Sequence, residues 1–367
     1  MEFRMAEVHR IAMPDPGDAS GLAALIDAGA LDPASIIAIL GKTPGNGLTN
    51  DHTREFATRT VAGLLASRLG VTEDDVRSRI LLLFSGGTEG MLAPHLLVFI
   101  RATAPAGASP GPALALGLAR SAPLTPAQIG RSAELDAAAA ATRAALADAG
   151  LDDPDAVAWV QVKCPIPAPG ALHGTDGLAA ASIPGMKHLS RAAAALGVAV
   201  ALGEVARAAI ESDHAIGARH ELGTRRACVT AAIDSPCVEV MVLGNGAGWA
   251  GDQRIGSAVL NDMLDAPAVV ALLDRLGLPA APQLTRDQRD RLVGVILKGD
   301  PPPDDRLRGS RHVMLDDSDV GPIRHYRAAM GGMLGALTGD NHVYLSGGAE
   351  HQAPPGGAVL ALIVRNR

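Results

Sequence analysis

Aromatic residues are scarce: two Trp, two Tyr and four Phe make up 2% of the 367 residues. A chain so poor in stacking platforms is ill suited to single-stranded nucleic acid. With a net charge of −7 and no long basic run, it also lacks the electrostatic footprint of a phosphate-backbone binder. No nucleic-acid partner is expected. No apolar stretch reaches roughly 18 residues without Gly, Pro or charge, which predicts no membrane span. The N-terminal MEFRMAEVHRIAM has no basic segment followed by an apolar one, so no secretory signal is expected. Cysteines number three, Cys164, Cys228 and Cys237, in neither a CxxC nor an even framework. That excludes a disulfide scaffold and fits a reducing cytoplasm; no role for the three thiols follows from their spacing.

Several catalytic signatures are missing as well. There is no GxSxG elbow and no HExxH. The GKT at Lys42 has Ile36 where a P-loop needs its leading glycine. Gly246, Gly248 and Gly251 spell GxGxxG after an apolar run, but no acidic residue ends a strand about 20 residues on. Asp316, Asp317, Ser318 and Asp319 read as a cap for the helix that follows rather than as a cation site.

What the chain does have is apolar bulk, 48% of residues against 19% charged, rich in Ala, Gly, Val and Leu. This suits thin α/β layers with closely approaching helices. It also repeats itself. LIDAGALDPASIIAILGK, residues 25–42, aligns without a gap to LADAGLDDPDAVAWVQVK, residues 146–163. The shared residues describe a helix stopping at Gly29 or Gly150, an Asp-Pro turn, and a buried strand ending in lysine. A third run, LVGVILK, ends at Lys298. After each lysine come a Gly/Pro-rich loop and an arginine-opened helix (Arg54, Arg191, Arg324). A short β-like run to a small-residue turn follows, LLLFSGGTEG, ACVTAAIDS or VYLSGGAEH, and then a final strand. Ser85 precedes Glu89 by four residues and Ser346 precedes Glu350 by four. Asp234 then makes Thr230 the middle counterpart. Leading strands EVHRIAM, ALALGLARS and RIGSAV complete units at 1–103, 111–248 and 254–367, with TAPAGASPGP at 103–112 as a linker.

A single lysine at a strand end is usually only solvated. Three at matching positions of a repeat predict one shared site on a pseudo-threefold axis, with Lys42, Lys163 and Lys298 around it. Arginine at a helix start opposes the macrodipole by a few tenths of a kcal/mol, so these arginines are read as ligand contacts whose planar fork suits an imide or carboxylate. Glycines beside a hydroxyl let backbone N–H groups reach a ligand oxygen. A hydroxyl beside a neutral lysine can attack an amide. Crowded cations would favour that neutral form and attract a small acidic ring.

The segments GKTPGNGLTNDHTREFA, LLFSGGTEGMLAPH, HVMLDDSDVGPIRHYRAAMGG and VYLSGGAEHQAPPGG resemble the cyanuric acid hydrolase and barbiturase family over nearly the whole chain. The resemblance implies three concatenated α/β units around a central β-barrel-like core with helices outside, in a homotetramer. It implies hydrolytic opening of a small planar cyclic imide by a Ser–Lys pair of the middle unit, here Thr230 and Lys163. Substrate contacts would fall on Arg54, Ser85, Gly86, Arg191, Thr230, Ala231, Arg324, Ser346 and Gly347. No organic cofactor is implied. A structural Mg²⁺ or Ca²⁺ is, held by the carboxylate of Asp300 and backbone oxygens around Ala349, Gln352, Ala353, Pro354 and Gly357. The chain departs from the family in two places. The middle motif, two serines and a glycine in the family, reads Thr230, Ala231, Ala232, keeping one hydroxyl on a stiff β-branched side chain. Asp300 stands where the family has the longer Glu. Cyanuric acid, another cyclic ureide of the barbiturase type, and binding without turnover therefore all stay open. The loop from Pro165 to Gly185, the longest in the repeat, is expected to act as a lid.

Overall fold

A computed structural model describes residues 3–48, 50–108, 111–167 and 183–366. The expected lid falls mostly at 168–182, outside the described residues.

Twelve strands form three sets with one pairing order. In each set a leading strand pairs antiparallel with the last strand. The last pairs antiparallel with the lysine strand, and the lysine strand lies parallel to a short fourth. The first set is β1 (Arg4–Ala12), β4 (His95–Thr103), β2 (Ile36–Thr43) and β3 (Leu81–Gly86). The second is β5 (Gly111–Arg120), β8 (Glu239–Ala250), β6 (Val157–Pro165) and β7 (Ala227–Ala232). The third is β9 (Gln253–Leu260), β14 (Ala358–Arg365), β10 (Leu292–Gly299) and β13 (Tyr344–Ser346). A two-residue parallel contact, Arg4 and Met5 with Trp249 and Ala250, joins the first two sets into an eight-stranded sheet. The third set is a separate four-stranded sheet, and β11 (Arg306–Leu307) with β12 (Ser310–Arg311) is a small ribbon.

Both larger sheets are open, so the expected barrel-like core is not closed by hydrogen bonds among the described residues. Side chains meet instead. Leu40 and Leu83 of the first set, Val162 and Val242 of the second, and Ile296 and Ile363 of the third belong to one buried apolar cluster. Alternation along each strand sends the neighbouring side chains outward to helices. Ile39 packs with Val61 and Leu65 of α2 (Thr53–Leu69), beside α1 (Ser20–Asp27) and α3 (Glu73–Arg79). Val295 and Leu297 pack with Leu334 of α8 (Pro322–Thr338) and Leu272 of α6 (Ala266–Arg275), and α7 (Arg286–Arg291) leads into β10. The second set is covered by α4 (Ser132–Ala149) and α5 (Ile183–Ala201). Small residues make that cover thin: a Cβ on Gly117 of β5 would lie 2.1 Å from the Ala145 carbonyl oxygen of α4. No described helix is long and apolar enough to cross a membrane.

The shared sequence device appears twice. Gly29 and Gly150 adopt left-handed φ of 68° and 65° after α1 and α4. Asp32 and Asp153 then accept the Ala34 and Asp155 N–H groups at the head of Pro-led 3-10 turns, and β2 or β6 follows. Two sequence features resolve differently. Gly246 and Gly248 lie inside β8, so no strand-to-helix turn exists for a dinucleotide. The acidic cluster does not cap α8, whose N-cap Gly321 makes no side-chain bond. Asp317 instead accepts the Asp319 and Val320 N–H groups and bonds His325 at 2.9 Å.

Candidate active site

The register of the parallel pairs places each lysine directly opposite a hydroxyl: Lys42 opposite Ser85, Lys163 opposite Thr230, Lys298 opposite Ser346. Partners in parallel register present their side chains on the same face, so a lysine and a hydroxyl meet at the end of each lysine strand. Lys42 and Lys298 are fully buried and use all three donors. Lys42 Nζ donates to Ser85 Oγ at 3.3 Å, to the Gly86 carbonyl at 2.9 Å, and to the Leu345 carbonyl. Lys298 Nζ donates to Ser346 Oγ at 3.3 Å, to the Gly347 carbonyl at 2.7 Å and to the Val229 carbonyl at 2.7 Å. Each reaches across to the residue just before the hydroxyl of another set. Burial lowers the pKa of both lysines, strongly for Lys42, with Arg327 adding to the effect there and Arg191 at Lys298.

Lys163 breaks the pattern. Its Nζ donates to Asp234 Oδ2 at 2.9 Å and to the Leu82 carbonyl at 3.1 Å, and lies 3.7 Å from Glu239 Oε1, with no bond to Thr230. The cause is local. Glu239 sits opposite Lys163 in the antiparallel pairing, where Lys42 faces His95, a buried ring whose pKa is lowered to about 3 by desolvation. Thr230 Oγ1 is buried beside the Tyr344 hydroxyl, which it contacts, and no lysine among the described residues bonds it.

The SGG turns hold arginines. Gly87 has φ 104°, and a Cβ there would come within 2.6 Å of the Arg327 guanidinium carbon; Gly348 has φ 76° and would meet that of Arg191 at 2.5 Å. Glycine thus provides both the backbone conformation and the room for a guanidinium to lie on the turn. Glu89 receives Arg327 at 2.7 Å, and Glu350 receives Arg191 at 2.7 Å, each through two nitrogens. In the middle turn Ala232 replaces that glycine. The corresponding arginine, Arg54, donates instead to the Leu48 carbonyl at 2.6 Å, with Asp51 3.9 Å away. Asp234, left without an arginine of this kind, takes Lys163. We expect Gly348→Ala to destabilise the protein by about 1–3 kcal/mol, because it combines a left-handed φ with a clash on Arg191. A urea midpoint unchanged from the native chain would show that the turn relaxes freely.

Two adjoining cavities open here. The larger, about 570 Å³, is lined by Ser85, Gly86, Thr230, Ala231, Ser346 and Gly347, with Arg54, Arg191 and Arg327. The smaller, about 380 Å³, is lined by Lys163, Asp234, Arg54 and the β3 segment Leu82–Phe84. The two share Arg54, Lys187 and Ala231. Most of the residues expected from the sequence are therefore brought together, with Lys42 and Lys298 buried behind the hydroxyls. Lys163 lies on the smaller cavity, whereas Thr230 lines the larger. Arg324 is not among the lining residues: its side chain is about half exposed and, among the described residues, reaches only Glu89, at 3.3 Å. Arg327, one helical turn on, occupies the cavity wall. The Arg-Ala-Ala shared by Arg191 and Arg327 carried that register in the sequence. Lys187 went unnoticed because no lysine stands four residues before Arg54 or Arg327.

Several of the expected cation donors already accept hydrogen bonds within the protein. Both carboxylate oxygens of buried Asp300 accept backbone N–H groups, from Gly348 at 2.6 Å and from Ala349. The Ala349 carbonyl accepts the Gln352 N–H, the Pro354 carbonyl the Gly357 N–H, and the Gly357 carbonyl the Tyr326 hydroxyl. The side chain of Gln352 bonds Val229 N at 2.6 Å, and Ala353 is half-buried beside it. Burial and the charge of Glu350 raise the Asp300 pKa. With the shorter side chain, this carboxylate closes the turn itself.

Fold and site together define an α/β protein of hydrolase type, with hydroxyls backed by lysines in a cavity ringed by guanidinium groups. The chain belongs to the amidohydrolase ring-opening family, whose model matches residues 7–365. It is 44% identical to a cyanuric acid amidohydrolase of Bradyrhizobium diazoefficiens, covering 98% of this chain and 97% of that one. It is 41% identical to a cyclic amide hydrolase of Azorhizobium caulinodans, covering 98% and 99%. A solved cyanuric acid hydrolase, described as an innovation by structural concatenation, superposes with a TM-score of 0.92 at 36% identity, over 99% of this chain and all of that one.

Proposed function

We propose that this chain hydrolyses a ring C–N bond of a small planar cyclic amide or imide of the cyanuric acid type, with Thr230 as nucleophile and Lys163 as its base. One observation carries the choice of Thr230. Ser85 and Ser346 are each tied to a buried lysine, whereas Thr230 lines the larger cavity with no lysine bonded to its Oγ1 among the described residues. The two serines then hold the ring while Thr230 attacks. Lys163 leaves a proton on Asp234 as it turns to Thr230; the neutral amine takes the hydroxyl proton, and the oxygen adds to a ring carbonyl. Backbone N–H groups of the turns and the surrounding cations stabilise the oxyanion. The C–N bond breaks, and water releases the acyl group from Thr230. The common strand order of the three sets supports reading them as concatenated units, 1–103, 111–248 and 254–367, about a pseudo-threefold axis. The description of the relative at TM-score 0.92 points the same way.

The test is incubation with a panel of cyclic ureides and imides, following ring-opened product and thermal stabilisation together. Product from at least one planar imide is the expected result. A second reading, binding without turnover, is favoured by the turn of Lys163 toward Asp234, and stabilisation with no product from any ligand would establish it.

A further inference from the structure

Lys187 stands outside every motif of the repeat, yet it lines both cavities. It lies on α5 four residues before Arg191, so the two share a helix face, one turn apart. Its surroundings differ from those of the other lysines. Lys42 and Lys298 spend all three N–H donors on protein oxygens, and Lys163 has two carboxylates within 4 Å. Lys187 Nζ has one acceptor among the described residues, the Gly47 carbonyl at 3.3 Å, and no carboxylate within 4 Å. An ammonium with a single acceptor among the described residues, lining both the Thr230 cavity and the Lys163 cavity, is placed to meet whatever occupies either one.

We propose that Lys187 is a catalytic residue of the ring opening, the acid that protonates the departing ring nitrogen. This assignment rests on the ring-opening reading above. As the Thr230 oxygen adds to the carbonyl carbon, its proton goes to Lys163. As the C–N bond breaks, its electron pair stays on nitrogen, which takes a proton from the Lys187 ammonium. In the second half, water adds to the acyl carbon and gives a proton to the Lys187 amine, while the departing Thr230 oxygen recovers the proton held by Lys163. Both lysines end as they began, and one water is consumed per bond cleaved. A second proton carrier resolves a difficulty of the site: Lys163 is engaged by Asp234 and Glu239 and lines the smaller cavity, not the larger, and one lysine need not serve both oxygen and nitrogen.

The electrostatics suit the role. Burial, then the charges of Arg191 on its own helix, Arg54 on α2 and Lys298 on β10, lower the Lys187 pKa to about 7, with Glu350 opposing. A general acid works best with a pKa near the working pH. Because the acid must be protonated, kcat should fall as pH rises through about 7.

The decisive experiment uses the full chain with cyanuric acid, or the best substrate of the panel. It compares the native protein with Lys187→Met, Lys187→Arg and Lys187→Ala, each checked for an unchanged urea midpoint. We expect kcat to fall by about 10²–10⁴-fold in all three with little change in KM. The alkaline limb should disappear, and small primary amines should partly restore Lys187→Ala. Lys187→Arg retaining native kcat would assign Lys187 a charge-holding role and overturn the proposal, as would absence of amine rescue with an unaltered pH profile. No turnover by the native chain on any panel member would overturn the ring-opening reading and this assignment together.

Discussion

Thr230→Ala is expected to lower kcat by about three orders of magnitude or more, the scale seen when the nucleophile of a hydroxyl–base system is deleted. The expectation follows from occupancy of the lysines. Ser85 and Ser346 sit against fully buried amines whose three donors are committed, so neither hydroxyl can move to a ring carbonyl without breaking a satisfied buried network. Thr230 has no such lysine network to break, and its attack requires only that Lys163 leave Asp234. Thr230→Ser should keep or raise activity, since it removes the methyl that stiffens χ1 and retains the hydroxyl. Ser85→Ala and Ser346→Ala should chiefly raise KM. Steady-state kinetics on the best substrate of the panel separates these outcomes. Full turnover by Thr230→Ala, with loss in Ser85→Ala or Ser346→Ala, would move the chemistry to an outer pair.

The largest effect on stability is expected from Arg191→Met, about 3–5 kcal/mol, the cost of leaving a buried charge without its partner. Glu350 is 10% exposed at its side chain, and Arg191 12%. Burial works against ionisation of Glu350, but the charge and hydrogen bonds of Arg191, with His188 at 3.0 Å, hold its pKa well below the usual carboxylate range. A depressed carboxylate contributes stability that is present above its unfolded pKa, about 4.3, and is lost as pH falls through the depressed value. In Arg191→Met the carboxylate has lost that charge, so protonating it relieves the penalty. The gap in urea midpoint between native and variant should therefore be wide at pH 7 and should narrow toward pH 4. A gap independent of pH would mean that lost packing, not charge, dominates.

The same pair shows how far the sequence could be read. Ser85 and Ser346, each four residues before a glutamate, set the register of the hydroxyls and made Thr230 the middle one. Strand register places each hydroxyl opposite a lysine, and only Ser85 and Ser346 bond theirs among the described residues. The glutamates themselves served only as markers. That they clamp arginines lying on glycine turns depends on contacts between residues as distant as Glu89 and Arg327, which no local pattern records. Arg324 looked like the helix-opening arginine although the Arg-Ala-Ala shared with Arg191 marked Arg327, which packing places in the cavity wall. Lys187 had no counterpart to draw attention to it, and its character comes from burial among cations on other elements.

By itself the sequence determined the repeating helix–turn–strand order, because Gly29, Gly150, Asp32 and Asp153 act on backbone within a few residues of themselves. It also determined which residue types end the strands, because the repeat brings lysine and hydroxyl to matching positions. Only the tertiary structure decided how the matching positions differ in use. Glu239 opposite Lys163, and Ala232 in place of a turn glycine, free Asp234 to take the middle lysine. Likewise the two oxygens of Asp300 go to backbone N–H groups rather than outward. These outcomes are competitions among groups brought together from distant parts of the chain. They are settled by distance, burial and charge, which one-dimensional spacing does not contain.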